Sequence, residues 1–192
     1  MGCRIFIAVH LPDDVKKIFI DYQERKLRNS CFRLVPEQAL HLTLVFIGYV
    51  SNDDLFKITQ ACQNIASLFF PIEVKLNKIT FGPNPHSPRL IWTEGETSKE
   101  LNQLHKNLET ELIDKGINFK LENRLFKPHI TLARFKNETK LPRLSELEEK
   151  IDKSFAINSI SVIESKLSNT EPKYTDLATY HLQKQTNNNL TI

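Results

Sequence analysis

The sequence predicts an α+β fold with two pseudo-symmetric lobes around a central cleft, each lobe a small β-sheet with helices on its outer face. Along the 192 residues, apolar side chains recur at helix spacing in some segments and fill short strand-like runs in others. The order helix, His-x-Thr strand, helix, hairpin occurs over residues 12–94 and again over 97–182. No linker rich in glycine or serine separates these halves, so we expect one bilobal domain over residues 1–192.

Apolar runs and punctuating residues set the elements of the first half. Pro12 suits the first turn of a helix, and Ser51 with Asp54 resembles a capping box at the start of another. Pro71 stops that second helix, and the proline-rich stretch 82–88 predicts a loop. The predicted elements are a strand over 4–9, a helix over 12–27, a strand over 40–48, a helix from 51 up to Pro71, and strands over 72–81 and 89–94.

The second half repeats this order of elements. Thr97 is placed to cap a helix whose leucines form one apolar face, and Gly116 suits its C-terminal stop. The next predicted elements are a strand over 128–135, a short charged helix from 144 to about 153, and a closing hairpin of strands over 155–167 and 174–182. The polar residues 184–192 predict a disordered tail.

Composition excludes several classes of protein. The chain is 40% hydrophobic and 26% charged, and its net charge of +3 is too small for a protein that coats DNA. No apolar run reaches the roughly 20 residues of a membrane span, and the N-terminus does not resemble a signal peptide. Cys3, Cys31 and Cys62 form no C-x-x-C pair and are expected to be small, partly buried residues. We therefore expect a monomeric cytoplasmic protein with no membrane partner.

Two His-x-Thr strands are the strongest functional signal. His41-Leu-Thr43 and His129-Ile-Thr131 are each followed by leucine, and they lie 88 residues apart (129 − 41) at equivalent places in the repeat. Alternate residues of a strand share a face, so each histidine points the same way as its threonine. One such triplet could arise by chance in a chain with six histidines. The matching positions of two triplets predict that both polar pairs face one cleft.

Two opposed imidazoles suit the hydrolysis of a cyclic phosphodiester. The reaction needs a base for water and an acid for the leaving ribose oxygen, and a histidine pKa of about 6.5 suits both tasks. The hydroxyls of Thr43 and Thr131 can donate to phosphate oxygens. A lone strand histidine is more often a hydrogen-bonded structural residue. A zinc site at His41 and His129 would need a nearby carboxylate or cysteine, so we expect no metal and no cofactor.

These motifs resemble the two-histidine phosphoesterases, and among them the bacterial and archaeal RNA 2′,3′-cyclic phosphodiesterases, also called 2′-5′ RNA ligases. The matching stretches follow one another along nearly the whole chain: RIFIAV, LHLTLVFIG, KPHITLARF and IESKLSNTEPKYTDLATYHL. The resemblance implies two antiparallel sheets, with His41 as the proton donor to the leaving oxygen and His129 as the base on water. It also implies that RNA with a 2′,3′-cyclic phosphate end, or a cyclic nucleotide, is opened to a 2′-phosphate, and that tRNA halves can be joined by a 2′-5′ bond.

Other residues have weaker claims on the site. Arg134 matches a family arginine that could neutralise phosphate. Strict alternation places it on the face opposite His129, so it must act from the strand end or across a bulge. Arg4 is expected in solvent, whereas Phe46 and Trp92, which could stack on a base, are expected in the core. The remaining histidines are expected to be structural or at the surface: His10, His86, His105 and His181.

Two other functions fit the same motifs. A nucleotide- or RNA-binding module on this fold would hold a cyclic or 2′-phosphorylated ligand without turnover, although a binder needs no acid and base. An enzyme of the same superfamily could instead act on 2′-5′ oligoadenylate or on an ADP-ribose cyclic phosphate. The loops over 84–89 and 118–125 would shape the entrance, and the sequence does not decide among these substrates.

Overall fold

Nine strands and four α-helices make up the part of the chain that the computed structural model describes, which is residues 2–28, 31–84, 86–122, 125–136, 143–166 and 173–184. The helices are α1 (Asp13–Lys26), α2 (Asn52–Ala66), α3 (Lys99–Asp114) and α4 (Leu144–Leu147). The strands are β1 (Cys3–His10), β2 (Phe32–Leu34), β3 (His41–Val50), β4 (Ile72–Gly82), β5 (Leu90–Glu96), β6 (His129–Phe135), β7 (Glu149–Ile157), β8 (Ser159–Lys166) and β9 (Lys173–His181).

Two antiparallel sheets form the two lobes. Sheet A has the strand order β3-β1-β8-β9, and sheet B has the order β2-β6-β5-β4-β7. Each sheet contains one of the two His-x-Thr strands, β3 in sheet A and β6 in sheet B. The predicted α+β fold with two antiparallel lobes is therefore confirmed.

The lobes do not coincide with the two halves of the sequence. In sheet A, β3 from the first half shares a sheet with the β8–β9 hairpin from the second half. In sheet B, β6 from the second half pairs with β5, which belongs to the β4–β5 hairpin of the first half. Each half thus gives its hairpin to the sheet that holds the other half's His-x-Thr strand.

The helices cover one face of each sheet. Helix α1 contacts β6, α2 contacts β8 and β9, and α3 contacts β3 and β4. One hydrophobic cluster runs from α1 through both sheets to α3, and its members include the fully buried Phe19 and Leu108. Burying a side chain of this size contributes about 1.5–3 kcal/mol. The faces of the two sheets that carry no helix bound the cleft.

The second half departs from the predicted elements after β6. The charged helix predicted over 144–153 is wrong beyond Leu147, because residues 149–157 form β7 and pair with β4. Its buried residues Phe155 and Ile157 follow strand alternation, which the charged residues earlier in the strand obscure. The single strand predicted over 155–167 is two strands that meet at Asn158. The predicted hairpin is present as β8 and β9, and 185–192 of the predicted tail lie outside the described residues.

Two helix ends are as predicted and one is not. The Ser51 hydroxyl accepts from the Asp54 backbone N–H at 3.1 Å, and Gly116 has the positive φ of +75° that a helix stop requires. Thr97 does not cap α3, because its hydroxyl donates to the Phe126 carbonyl. The cap is the next residue, Ser98, whose hydroxyl accepts from the Leu101 N–H at 3.1 Å.

The three cysteines are free thiols. Cys62 is fully buried, and burial raises the pKa of its thiol to about 12, so it is unreactive at neutral pH. Cys3 and Cys31 are half-buried. Within the described ranges, no helix is long and apolar enough to cross a membrane.

Replacing the α3 cap tests the corrected start of this helix. Ser98→Ala should lower the free energy of unfolding by about 1 kcal/mol, because the Leu101 N–H loses its acceptor. Urea denaturation measures this loss. Ser87→Ala, an exposed serine in the loop before β5, should change stability by less than about 0.5 kcal/mol. Equal stability of the two variants would contradict the assignment of Ser98 as the cap.

Candidate active site

The two His-x-Thr strands lie against each other, one from each sheet. His41 and Thr43 of β3 are half-buried, and so are His129 and Thr131 of β6, while the residue within each triplet is fully buried. The predicted alternation at the start of both strands is therefore confirmed. It places the polar pairs on the cleft side and the apolar residues against the helices.

The same backbone contact holds both imidazoles. Nδ1 of His41 donates to the Ala39 carbonyl at 2.7 Å, and Nδ1 of His129 donates to the Lys127 carbonyl at 2.9 Å. In each case the acceptor lies two residues before the histidine. A carbonyl can only accept, so Nδ1 carries the proton of the neutral ring and Nε2 carries the lone pair. The two rings share one tautomer and are held in equivalent ways.

The surroundings of His41 disfavour its protonation. Burial is the main cause that lowers the pKa of His41 to about 4, against the opposing effect of the bond to Ala39. Positive charge on His10, His129 and Arg134 lowers it further. Strand β3 contacts β6, which carries both His129 and Arg134, so these residues lie on the strand that adjoins His41.

An aromatic side chain from the neighbouring strand packs on each histidine. The ring centroid of Phe6 on β1 lies 4.9 Å from that of His41, and the centroid of Trp92 on β5 lies 4.5 Å from that of His129. Tyr174 on β9 meets the His41 ring edge-on, with 5.4 Å between centroids. Trp92 is buried as expected, but its place is beside His129 in the cleft and outside the main hydrophobic cluster.

Gly82 leaves the space that Trp92 occupies. A Cβ at position 82 would lie 2.5 Å from Cδ2 and Cε2 of the indole, which is closer than real side chains approach. The indole Nε1 is buried and has no hydrogen-bond partner within the described part of the chain. A larger residue at 82 would therefore displace the ring that packs on His129.

A one-residue β-bulge interrupts both His-x-Thr strands three residues after the histidine. In β3 the unpaired residue is Leu44, which falls between the partners of two consecutive β1 residues. In β6 it is Leu132, in the same position relative to β5. A bulge reverses the alternation of side chains beyond it, and two adjacent residues are buried at each bulge.

The bulges decide which side chains reach the cleft. Arg134, which strict alternation places on the other face, lies on the same face as Thr131. Phe46 has the equivalent position in β3 and is 49% exposed, so the prediction that it lies in the core is wrong. Arg4 is half-buried, and its guanidinium lies 4.8 Å from the centroid of the Phe46 ring. Sheet A thus presents an aromatic ring where sheet B presents an arginine.

Two buried polar side chains contact the bulges from the helix side. Gln23 of α1 donates from Nε2 to the carbonyl of Leu132 at 2.7 Å and to that of Val35 at 2.8 Å. The ring of His105 on α3 lies close to the backbone of Leu44. Gln23 is 3% exposed and His105 is 7% exposed. The Leu132 carbonyl also accepts from the Val35 N–H at 2.8 Å, so Gln23 adds a second donor to this carbonyl at the bulge.

The buried contact of Gln23 could have been predicted from the helical pattern of the sequence. It is a polar residue next to Tyr22 within the apolar stripe of its helix, and His105 has the same place next to Leu104. A polar side chain in such a stripe needs a buried partner. The expectation that His105 is structural is confirmed.

His10 was expected to be structural or at the surface, and it also lies at the site. It is directly opposite His41 in the β1–β3 register, so the two share a face. Its Nε2 lies 2.9 Å from Oδ2 of Asp176 on β9. This ion pair borders the cleft on the side of His41.

The groups that line the cleft are proton-transfer groups and hydrogen-bond donors. The two His-x-Thr strands contribute two imidazoles, two threonine hydroxyls and the guanidinium of Arg134 to them. Within the described ranges, no three histidine, cysteine or carboxylate side chains converge as metal ligands do. The arrangement can exchange protons on two sides of a bound anion and can donate to its oxygens.

Comparison with known families places the chain. A sequence model of the 2′-5′ RNA ligase superfamily matches residues 12–169, which include both His-x-Thr strands. The chain belongs to the 2′-5′ RNA ligase superfamily. The family predicted from the motifs is therefore confirmed.

Relatives and solved structures match over almost the full length. An RNA 2′,3′-cyclic phosphodiesterase of Methanothermobacter thermautotrophicus is 27% identical over 187 residues, which cover 95% of this chain and 100% of that protein. One from Methanocaldococcus jannaschii is 30% identical over 175 residues, which cover 89% and 96%. The crystal structure of TT0787 of Thermus thermophilus has a TM-score of 0.84 at 25% identity, covering 95% of this chain and 99% of that one. E. coli LigT complexed with 3′-AMP shares the fold, with a TM-score of 0.76 at 24% identity over 96% and 100%.

Removing the amide of Gln23 tests its contact with the β6 bulge. Gln23→Met keeps the side-chain volume but takes a donor from two buried carbonyls, so the free energy of unfolding should fall by about 1–3 kcal/mol. Chemical denaturation measures the loss. Gln60→Met on the exposed face of α2 should change stability by less than about 0.5 kcal/mol. If Gln23→Met is as stable as the unmodified protein, the bulge does not depend on this side chain.

The low pKa of His41 can be measured in the free protein. We expect its ring resonances in an NMR titration to move with a midpoint near 4. In the unfolded chain the midpoint is about 6.5, so the unfolded state binds the additional proton first. His41 should therefore cost the protein stability as pH falls from about 6.5 to about 4. A midpoint at or above 6.5 would show that burial does not control this ring.

Proposed function

We propose that the protein is an RNA 2′,3′-cyclic phosphodiesterase that opens the cyclic phosphate to a 2′-phosphate, with His41 and His129 as its acid and base. One observation carries this proposal: two imidazoles in the same tautomer, held by equivalent backbone contacts, face one cleft from two sheets. Membership of the superfamily and the names of the relatives support the reaction class.

In the proposed reaction, water attacks phosphorus while the bond from phosphorus to the 3′ oxygen breaks. Nε2 of His129 takes the proton of the water, and Nε2 of His41 gives a proton to the leaving 3′ oxygen. Two histidines on opposite sides of the phosphate allow the entering and leaving oxygens to lie in line. The two contacts to the backbone are equivalent, so the choice of acid and base follows the family resemblance.

The negative charge of the substrate is part of the reason for assigning His41 as the acid. His41 must be protonated to act as the acid, whereas burial keeps its pKa at about 4 in the free protein. A phosphodiester carries one negative charge, and an anion close to an imidazole raises its pKa. Binding of the substrate is thus expected to charge His41, and the acid forms only when the cleft is filled.

The remaining cleft residues are proposed to hold the substrate. Thr43 and Thr131 donate to the non-bridging phosphate oxygens, and Arg134 balances the charge that grows in the transition state. Phe46 is exposed on the cleft face, and it offers a ring on which a base can stack. The same groups can also use a 5′-hydroxyl end in place of water: its oxygen attacks phosphorus, the bond to the 3′ oxygen breaks, and a 2′-5′ phosphodiester forms.

Removal of either histidine tests the proposed function. His41→Ala and His129→Ala should each lower the rate of cyclic phosphate hydrolysis by about 10²–10⁴-fold, because each removes one proton-transfer group. The assay follows RNA with a 2′,3′-cyclic phosphate end in the presence of a chelator and identifies the position of the product phosphate. The unmodified protein should yield a 2′-phosphate.

A histidine variant outside the cleft shows whether the loss of activity is specific to the two cleft histidines. His181→Ala changes an exposed ring on β9, the strand at the opposite edge of sheet A from β3, and should keep full activity. Binding of the product without any turnover by the unmodified protein would instead identify a binding module. Full activity in both cleft variants would contradict the assignment of acid and base.

A further inference from the structure

Arg33 and Arg134 face each other across the strand pair β2–β6. Arg33 lies on β2, the edge strand of sheet B, and the register places it directly opposite Arg134. Directly opposite residues of an antiparallel pair share a face, so Arg33 lies on the cleft side together with Arg134. Both side chains are exposed, while the residue pairs on either side of them contact the hydrophobic core.

Among the described residues, no carboxylate balances the charge of these two arginines. Like charges directly opposite on two strands repel each other and cost stability. Neither arginine forms an ion pair with a carboxylate of the described residues. Two lysines on the other side of His129, in contrast, do have a carboxylate partner. Nζ of Lys127 lies 2.7 Å from a carboxylate oxygen of Glu94, and Nζ of Lys78 lies 3.3 Å from one. Within the described part of the chain, the arginine pair therefore has no carboxylate partner, which suits a bound anion.

The two arginines lie at different distances from the histidines. Arg134 lies on the face of β6 that carries Thr131, which places it beside the proposed site of the reacting phosphate. Arg33 lies one strand further out, which is about 4.8 Å in a sheet. A group that binds to Arg33 is therefore displaced from the reacting phosphate toward the edge of sheet B.

We propose that Arg33 binds the phosphodiester on the 5′ side of the terminal nucleotide, so that the site prefers an RNA end to a cyclic mononucleotide. This inference rests on the proposed function. A nucleoside 2′,3′-cyclic phosphate contains only the reacting phosphate, whereas an RNA end carries another phosphate one nucleotide away. The planar guanidinium matches phosphate oxygens with two parallel hydrogen bonds, and an exposed arginine keeps that geometry available.

Two substrates and one variant test this inference. The substrates are uridine 2′,3′-cyclic phosphate and a uridine hexanucleotide that ends in a 2′,3′-cyclic phosphate. Arg33→Ala should lower kcat/KM for the hexanucleotide roughly 10-fold or more, mainly through KM, because one charge-assisted contact is lost. Its kcat/KM for the mononucleotide should stay unchanged. The slope of log KM against log salt for the hexanucleotide should fall by about 0.7, as expected for the loss of one phosphate contact to a single strand.

Control variants show whether charge alone explains the effect. Lys17→Ala removes one exposed positive charge from α1 and should leave both substrates unaffected. Arg33→Lys keeps the positive charge but not the planar guanidinium, so its KM for the hexanucleotide should lie between that of Arg33→Ala and that of the unmodified protein. Arg33→Ala should be at least as stable to urea as the unmodified protein, because it relieves repulsion with Arg134.

Several results would overturn the inference, and each is distinct from failure of the proposed function. Equal losses on both substrates would place Arg33 on the reacting phosphate, and no loss on either would remove it from the site. If Arg33→Ala is less stable to urea and loses kcat/KM equally on both substrates, Arg33 has a structural role. If the unmodified protein hydrolyses neither substrate, the proposed function itself fails.

Discussion

A β-bulge in each His-x-Thr strand is the constraint on which the cleft depends. Without the extra residue, alternation would turn Arg134 and Phe46 toward the helices, where a buried charge is costly. With it, the histidine, the threonine and a third side chain of each strand lie on one face. Gln23 and His105 reach the bulges from behind, so the helices help to define a surface that they do not touch. The hydrogen bond from Gln23 to the Leu132 carbonyl contributes about 1 kcal/mol net.

The cleft is symmetric in its backbone and asymmetric in its chemistry. Both histidines donate to a carbonyl two residues earlier, and each packs on an aromatic ring from the next strand. The third position differs, with Phe46 in sheet A and Arg134 in sheet B. This difference suits a substrate that has a base at one end and a phosphate at the other. We propose that the repeated elements supply the acid and the base, and that the differing third positions orient the ligand.

Much of this arrangement can be predicted from the sequence, and the exceptions have physical causes. Strand alternation is a local property, so the sequence correctly predicts the strand faces on which His41 and His129 lie. Bulges arise from pairing with a neighbouring strand, which a local pattern does not contain. The prediction from the sequence therefore puts Phe46 on the wrong face of its strand and does not decide the face of Arg134. The strand β7 is hidden because its outward-facing lysines resemble a charged helix. Strand β2 has three residues and no pattern of its own, so the position of Arg33 becomes visible only through its partner strand.

The most direct test of the central claim is a crystal structure of the protein with a bound uridine 2′-phosphate product. The account predicts that the phosphorus lies between Nε2 of His41 and Nε2 of His129, with its oxygens bonded to Thr43, Thr131 and Arg134. It also predicts that both bulges are retained. A phosphate bound outside the cleft, or one that contacts a single histidine while Arg134 turns away, would contradict the account.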